Sequence, residues 1–187
     1  MIKVFIDQGH NPQNPNAGAE GNGLREQDLV YEIGVQLAAL LNADPNFEAR
    51  LSRNSPDEVL GTSTSESLAA RVNAANSWPA DIFISLHANA SDITSASGIE
   101  GYVYRTPSTA YTLSEDILRQ LSLITGLRNR GTSARPGLYV LRKTTMPAAL
   151  IELGYITNPA DAALMNDDPY IFARGVYNGI KEFYGMI

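Results

Sequence analysis

The sequence predicts an α/β fold: a single-domain, open, mostly parallel twisted sheet of about six strands flanked by helices on both faces. Three observations lead there. Short β-rich or apolar runs alternate with longer segments of helical periodicity, the pattern of strand–helix–strand units. Two of the runs, residues 81–86 and 148–156, are almost continuously apolar, as strands covered on both faces are. The chain has 187 residues, 44% hydrophobic and 18% charged, which suffices for one well-buried core at a size where one core is the default. Residues 1–187 are therefore read as one domain.

Residues 2–6 form a β-rich run that ends at Asp7-Gln8-Gly9-His10, and a loop rich in Gly, Asn and Pro follows to Gly23. Leu29, Ile33, Leu37, Leu40 and Leu41 recur at helical spacing and predict an amphipathic helix over residues 24–41. Glu26 falls in its first turn, one turn before Leu29 and so on the inward face. A strand is predicted near residues 47–52, then a helix over 65–76, capped by Ser65 with Leu68 and Val72 facing inward. The apolar strand 81–86 delivers His87 at its end. Residues 101–105 read as a more exposed strand, 113–124 as a helix and 137–141 as a short strand. The last buried strand, 148–156, carries Glu152 in its middle to late part. Ile171, Phe172, Val176, Ile180 and Phe183 then predict a closing helix over residues 169–184.

Composition excludes several classes. With 14 Lys and Arg against 20 Asp and Glu, the net charge of -6 offers no basic patch for nucleic acid or anionic lipid. No stretch approaches the ~20 apolar residues of a membrane span, and residues 1–6 have neither the basic start nor the cleavage site of an export signal. There are 0 cysteines, so any metal must be held by His and carboxylate groups. The chain lacks GxGxxG, P-loop, GxSxG and HExxH motifs, which removes the usual support for nucleotide and serine-hydrolase readings.

The 2 histidines, His10 and His87, both follow apolar strands directly. In an open α/β sheet, such positions on neighbouring strands face one crevice at the strands' carboxyl ends. Catalytic zinc takes three protein ligands and leaves one position open, so two imidazoles need one carboxylate. Glu26 and Glu20 are the local candidates. Glu26 is favoured because it starts a helix on its inward face, whereas Glu20 sits in a glycine-rich loop; a first-turn acid that complements the helix dipole is the ordinary alternative. Glu152 interrupts an otherwise apolar strand, and a buried carboxylate is costly unless it is paired, hydrogen-bonded or close to a metal. Beside a metal-activated water it suits a general base that later protonates the leaving amine; the structural alternative is an ion pair with Arg53, Arg71 or Arg142. Arg53, Arg71 and Asn89 are candidate supporting groups that orient a ligand or bind substrate.

These residues resemble the zinc-dependent N-acetylmuramoyl-L-alanine amidases of the amidase 3 type. The resemblance rests on Val4-Phe5-Ile6-Asp7-Gln8-Gly9-His10, Gly23-Leu24-Arg25-Glu26-Gln27-Asp28-Leu29, Ile84-Ser85-Leu86-His87-Ala88-Asn89 and Ile151-Glu152-Leu153-Gly154-Tyr155-Ile156-Thr157-Asn158, and it spans nearly the whole chain. It implies Zn2+ as cofactor with His10, Glu26 and His87 as ligands, Glu152 as the catalytic glutamate, and the amide between N-acetylmuramic acid and L-alanine of peptidoglycan as the bond cut. The stretch from Arg130 through Arg142 is similar to the part that borders the family's substrate groove, so Arg130 and Leu141 join Asn89 and Arg71 as substrate-binding candidates. The resemblance further implies action outside the cell or in the wall or periplasm, as a monomer. Two departures bear on the pocket. The loop after His10 reads Asn11-Pro12-Gln13-Asn14-Pro15 where many relatives carry glycines, and the stretch between Asn89 and Gly101 is too short for a blocking helix, which predicts an open site. The rival readings are a zinc carboxypeptidase acting on the stem peptide and a non-catalytic wall-binding module.

Overall fold

A computed structural model describes residues Met1–Ile187. Its centre is the run of apolar strands expected from the sequence. β1 (Ile2–Gln8), β4 (Phe47–Leu51), β5 (Ile82–Asn89) and β8 (Ala148–Tyr155) lie parallel, and the sheet is extended by β6 (Ile99–Val103) and β7 (Asn129–Ala134) in the order β4-β1-β5-β8-β6-β7. β6 runs antiparallel to β8 and parallel to β7, so the sheet is mixed at one edge only. β2 (Glu20–Gly21) and β3 (Leu24–Arg25) form a separate two-residue ladder in the first loop.

Strand alternation sorts the sheet's side chains onto two unequal faces. Val4, Ile6, Ile84, Leu86, Ala149 and Ile151 point to one face and join a core of 28 buried residues under α1 (Glu26–Ala43), α3 (Thr109–Thr125) and α6 (Pro169–Phe183). Phe5, Phe83, Ala148 and Leu150 point to the other and pack with Val72, Trp78, Val140 and Leu141 in a cluster of 10 under α2 (Thr64–Ser77) and α4 (Tyr139–Lys143). That second face is only partly covered. Beyond its apolar end, at the carboxyl ends of β1, β5 and β8, the same alternation presents Asp7, Ser85, His87, Glu152 and Glu100. The remaining helix, α5 (Pro159–Asp167), follows β8 and is capped by Asn158, whose side chain accepts from the backbone N–H of Ala160 and Asp161.

Four expectations need correction. Residues 137–141 are not a strand: Tyr139–Lys143 is one helical turn that buries Val140 and Leu141, and the sixth strand is Asn129–Ala134. This edge strand is polar and largely exposed, so it has no apolar alternation to read. The cap of α2 is Ser63, which accepts from the N–H of Glu66, and not Ser65. Helix α1 begins at Glu26 because Leu24 and Arg25 are taken up by the small ladder. β5 continues through His87 to Asn89, since β8 runs beside it that far.

Candidate metal centre

His10 sits two residues past β1 with a positive φ of 68°, in a loop that folds back over the end of the sheet. The turn is held from below by Arg71, whose buried guanidinium donates to the carbonyls of Gln8 and His10 and pairs with Asp7 at 2.7 Å. Gly9 is required here: a Cβ would lie 2.5 Å from Cε1 of His87 and 2.7 Å from its Nε2. His87 stands in register with Glu152 on β8, and Glu152 with Glu100 on β6, so the three form one row across the sheet.

Glu26, the first residue of α1, enters this row from the side. Its Oε2 accepts the N–H of Ala19 at 2.9 Å and its Oε1 accepts the N–H of Ala88 at 3.0 Å, which fixes the carboxylate between loop and strand. Oε1 lies 3.2 Å from Nε2 of His10 and 3.0 Å from Nδ1 of His87, and the two rings stand edge to face with centroids 4.9 Å apart. The ligand atoms of the three residues all lie within 4.8 Å of one another. Gly18 lets the loop pass close, since a Cβ there would stand 2.8 Å from Oε2 of Glu26. The donor set fits a zinc ion: ligand atoms at tetrahedral corners ~2.0–2.2 Å from the metal stand roughly 3.3–3.6 Å apart, a few tenths of an ångström wider than the two separations seen.

Electrostatics divide the two acids, Glu26 buried and Glu152 half-buried with one carboxylate oxygen enclosed. Burial pushes the Glu26 carboxyl up, but hydrogen bonds and charge from His10 and His87 outweigh this and hold it well below the ordinary range. Glu152 has no cationic partner. Burial, followed by the charges of Glu26 and Glu100, pushes it up to about 8, and its Oε2 is buried with no hydrogen-bond partner.

The other site candidates separate cleanly. Glu20 is exposed in the small ladder and outside the convergent set. Arg71 is buried and its donors are taken up within the protein, with further contacts to Ser52, Ser67 and Asn11, so it positions the His10 loop. Arg53 is likewise buried: it donates to the carbonyls of Pro56 and Gln27 and stacks over Tyr31. Leu141 packs in the smaller core; its neighbours Leu138, Tyr139 and Val140 instead line a cavity of about 120 Å³ beside His10 and His87. Asn89 donates to Glu100 at 2.7 Å, and Arg130 lies 3.9 Å from the same carboxylate and over the ring of Tyr155, whose hydroxyl donates to Glu100 at 2.9 Å. Asp7, Ser85, Glu100 and Tyr155 were not anticipated. Asp7 and Ser85 could have been, because each interrupts an apolar strand as Glu152 does. The segment between β5 and β6 carries no helix, and the side chains of His10 and His87 remain 21% and 18% exposed.

Fold and site together define an α/β protein with a His–Glu–His centre and a half-buried carboxylate without a cationic partner on the neighbouring strand. The chain belongs to the amidase 3 family, N-acetylmuramoyl-L-alanine amidase, whose model matches residues 4–182. It is 37% identical over 190 residues to the N-acetylmuramoyl-L-alanine amidase CwlM of Bacillus licheniformis, covering 100% of this chain and 70% of that one. It is 35% identical over 194 residues to the sporulation-specific N-acetylmuramoyl-L-alanine amidase of Bacillus subtilis, covering 100% and 69%. Among solved structures, the catalytic domain of the amidase CwlV from Bacillus (Paenibacillus) polymyxa var. colistinus superposes with a TM-score of 0.86 at 30% identity, each chain covered in full at 100%. The chain is thus an amidase of this family, and no helix in it is long and apolar enough to cross a membrane.

Proposed function

We propose that residues 1–187 act as one catalytic domain that hydrolyses the amide between N-acetylmuramic acid and the L-alanine of the stem peptide in peptidoglycan, outside the cell or in its wall, as a monomer. Zinc is the metal of this reading, held by His10, Glu26 and His87. The observation that carries it is the convergence of these three donors beside Glu152, which stands in register with His87. When bound, zinc supplies Lewis-acid polarisation of the scissile carbonyl and lowers the pKa of water into the neutral range.

The protein groups do the rest. Glu152 takes the proton of the attacking water and passes it to the leaving amine, a role best served by a pKa near the operating pH. Burial and two carboxylate neighbours lift it toward that range, and a cation at the triad draws it back down. Asn89 and Arg130, joined through Glu100, border the row on its open side and are the groups proposed to meet the substrate.

Two measurements test this. Purified cell walls digested with the protein should yield free stem peptides with a new N-terminal L-alanine by mass spectrometry. Products trimmed at the C-terminal end of the stem would instead identify a carboxypeptidase. Elemental analysis should find about one zinc per chain by the ligand count above, and a chain that binds walls without metal or cleavage would be a binding module.

A further inference from the structure

His87 is contacted on the side away from Glu26 as well. Ser85 lies two residues earlier on β5 and on the same face, and it stands in register with Asp7 of β1. Nε2 of His87 is 3.2 Å from Oγ of Ser85, that hydroxyl donates to Oδ2 of Asp7 at 2.7 Å, and Oδ1 of Asp7 accepts from Nη1 of Arg71 at 2.7 Å. All of Asp7, Ser85 and Arg71 are buried. Asp7 is held below the ordinary carboxylate range: burial raises it, and the charge and hydrogen bond of Arg71 and the hydrogen bond of Ser85 outweigh that.

The hydrogens in this chain have one consistent arrangement. An ionised carboxylate only accepts, so the single hydroxyl hydrogen of Ser85 is committed to Asp7. Ser85 then offers His87 a lone pair and nothing else, and Nε2 must be the donor. Nδ1 faces Oε1 of Glu26, an acceptor to which it donates in the metal-free chain, so it is the nitrogen whose proton a metal would replace. His10 presents the opposite nitrogen: its Nε2 faces Glu26, and its Nδ1 is buried with no partner. We infer that Arg71, Asp7 and Ser85 form a buried positioning relay that holds a proton on Nε2 of His87 and so dedicates Nδ1 of that residue to the metal. Outer partners of this kind orient metal-bound histidines and typically contribute 10–100-fold in affinity. His87 is thereby the ligand fixed by side chains, whereas His10 is fixed through its own backbone carbonyl by the same arginine.

The inference rests on the proposed metal site, and its test keeps the two apart. In nitrogen-15 spectra of histidine-labelled protein, Nε2 of His87 should carry a proton with and without zinc, and zinc should move its Nδ1. With 2 histidines in the chain, assignment needs one His10→Ala control. Ser85→Ala should raise the zinc dissociation constant, measured by chelator competition, about 10–100-fold, and Ser85→Thr, which restores the hydroxyl, should bring it back toward wild type. An unprotonated or zinc-bound Nε2 on His87 would overturn the relay, as would Ser85→Ala with wild-type zinc affinity or Ser85→Thr with the full loss. A wild-type chain that takes up no zinc would overturn the metal reading, and the protonation of Nε2 in the metal-free protein would still decide the relay. Should Ser85→Ala fail to fold, the wild-type spectra alone settle the matter.

Discussion

The junction that holds Glu26 and the strand that holds Glu152 bring the same side chain into one site and give it opposite character. At the start of α1, two backbone N–H groups and two imidazoles surround the Glu26 carboxylate, so its charge is satisfied and stays in place. On β8, Glu152 has carboxylates as its charged neighbours and an oxygen with no donor in reach. Paired acids whose surroundings push them apart mark a division of labour. The satisfied one suits a fixed ligand, and the unsatisfied one a group that exchanges a proton. A metal cation completes the contrast, because it neutralises the field that makes Glu152 costly.

Substituting each acid by its neutral isostere should expose that division most strongly. Glu152→Gln keeps the ligand set, so zinc content should stay at wild type while turnover on purified walls falls about 10²–10⁴-fold, the usual contribution of a positioned general base. Glu26→Gln should lose activity and zinc together. Retained zinc in Glu26→Gln, or turnover near wild type in Glu152→Gln, would erase the distinction between the two positions.

The next effect concerns what holds the histidines around Glu26 in place. Arg71→Met leaves Asp7 buried without its counter-charge and frees the carbonyls of Gln8 and His10. Breaking a buried pair in this way costs ~3–5 kcal/mol, measurable by urea unfolding. Asp7 also predicts the acid limb of stability. Its carboxyl is depressed in the folded chain, so its contribution is present above its unfolded value of about 3.9 and is lost as pH falls toward the folded one. Arg71→Met should flatten that limb, whereas replacing the exposed Arg128, which pairs with no carboxylate, should leave it unchanged.

The ease of reading the two regions from sequence differs for the same physical reason. Glu152 and His87 stood out because burial makes an apolar strand the rule and a polar residue within it the exception. The parallel core of the sheet was legible on those grounds. Glu26 has an ordinary explanation as a helix-start acid, and only the fold brings Ala19 and Ala88 to its oxygens. At the polar edge the signal vanishes: β7 has too few apolar residues to declare itself, and Tyr139, Val140 and Leu141, which read as a short strand, lie on a single helical turn that buries Val140 and Leu141. Asp7 and Ser85 lay in plain view inside apolar runs, but their meaning depends on a register between β1 and β5 that no local pattern specifies. Helix α5 buries Asp161, Ala162 and Met165 on one face, but with only two apolar residues among them it does not declare itself in the sequence.

The smallest of these effects should run in the opposite direction from the others. In the metal-free chain, folding keeps Glu152 protonated at pH values where the unfolded chain has released the proton, because its folded pKa of about 8 lies above the ordinary value of 4.5. Between those two values the folded state binds more protons than the unfolded one, so stability falls as pH rises through that interval and levels off above it. Glu152→Gln carries no such titration. After removal of metal with a chelator, it should match the wild type near pH 4.5 and become more stable than it by pH 8, by on the order of 1–3 kcal/mol, the usual cost of an uncompensated buried polar group. Thermal unfolding at a series of pH values reads this directly. Adding zinc should shrink the difference, since the cation stabilises the ionised carboxylate that glutamine lacks. A Glu152→Gln variant that is less stable than wild type at pH 8 without metal would show that Glu152 has a stabilising partner, and the contrast with Glu26 would fall.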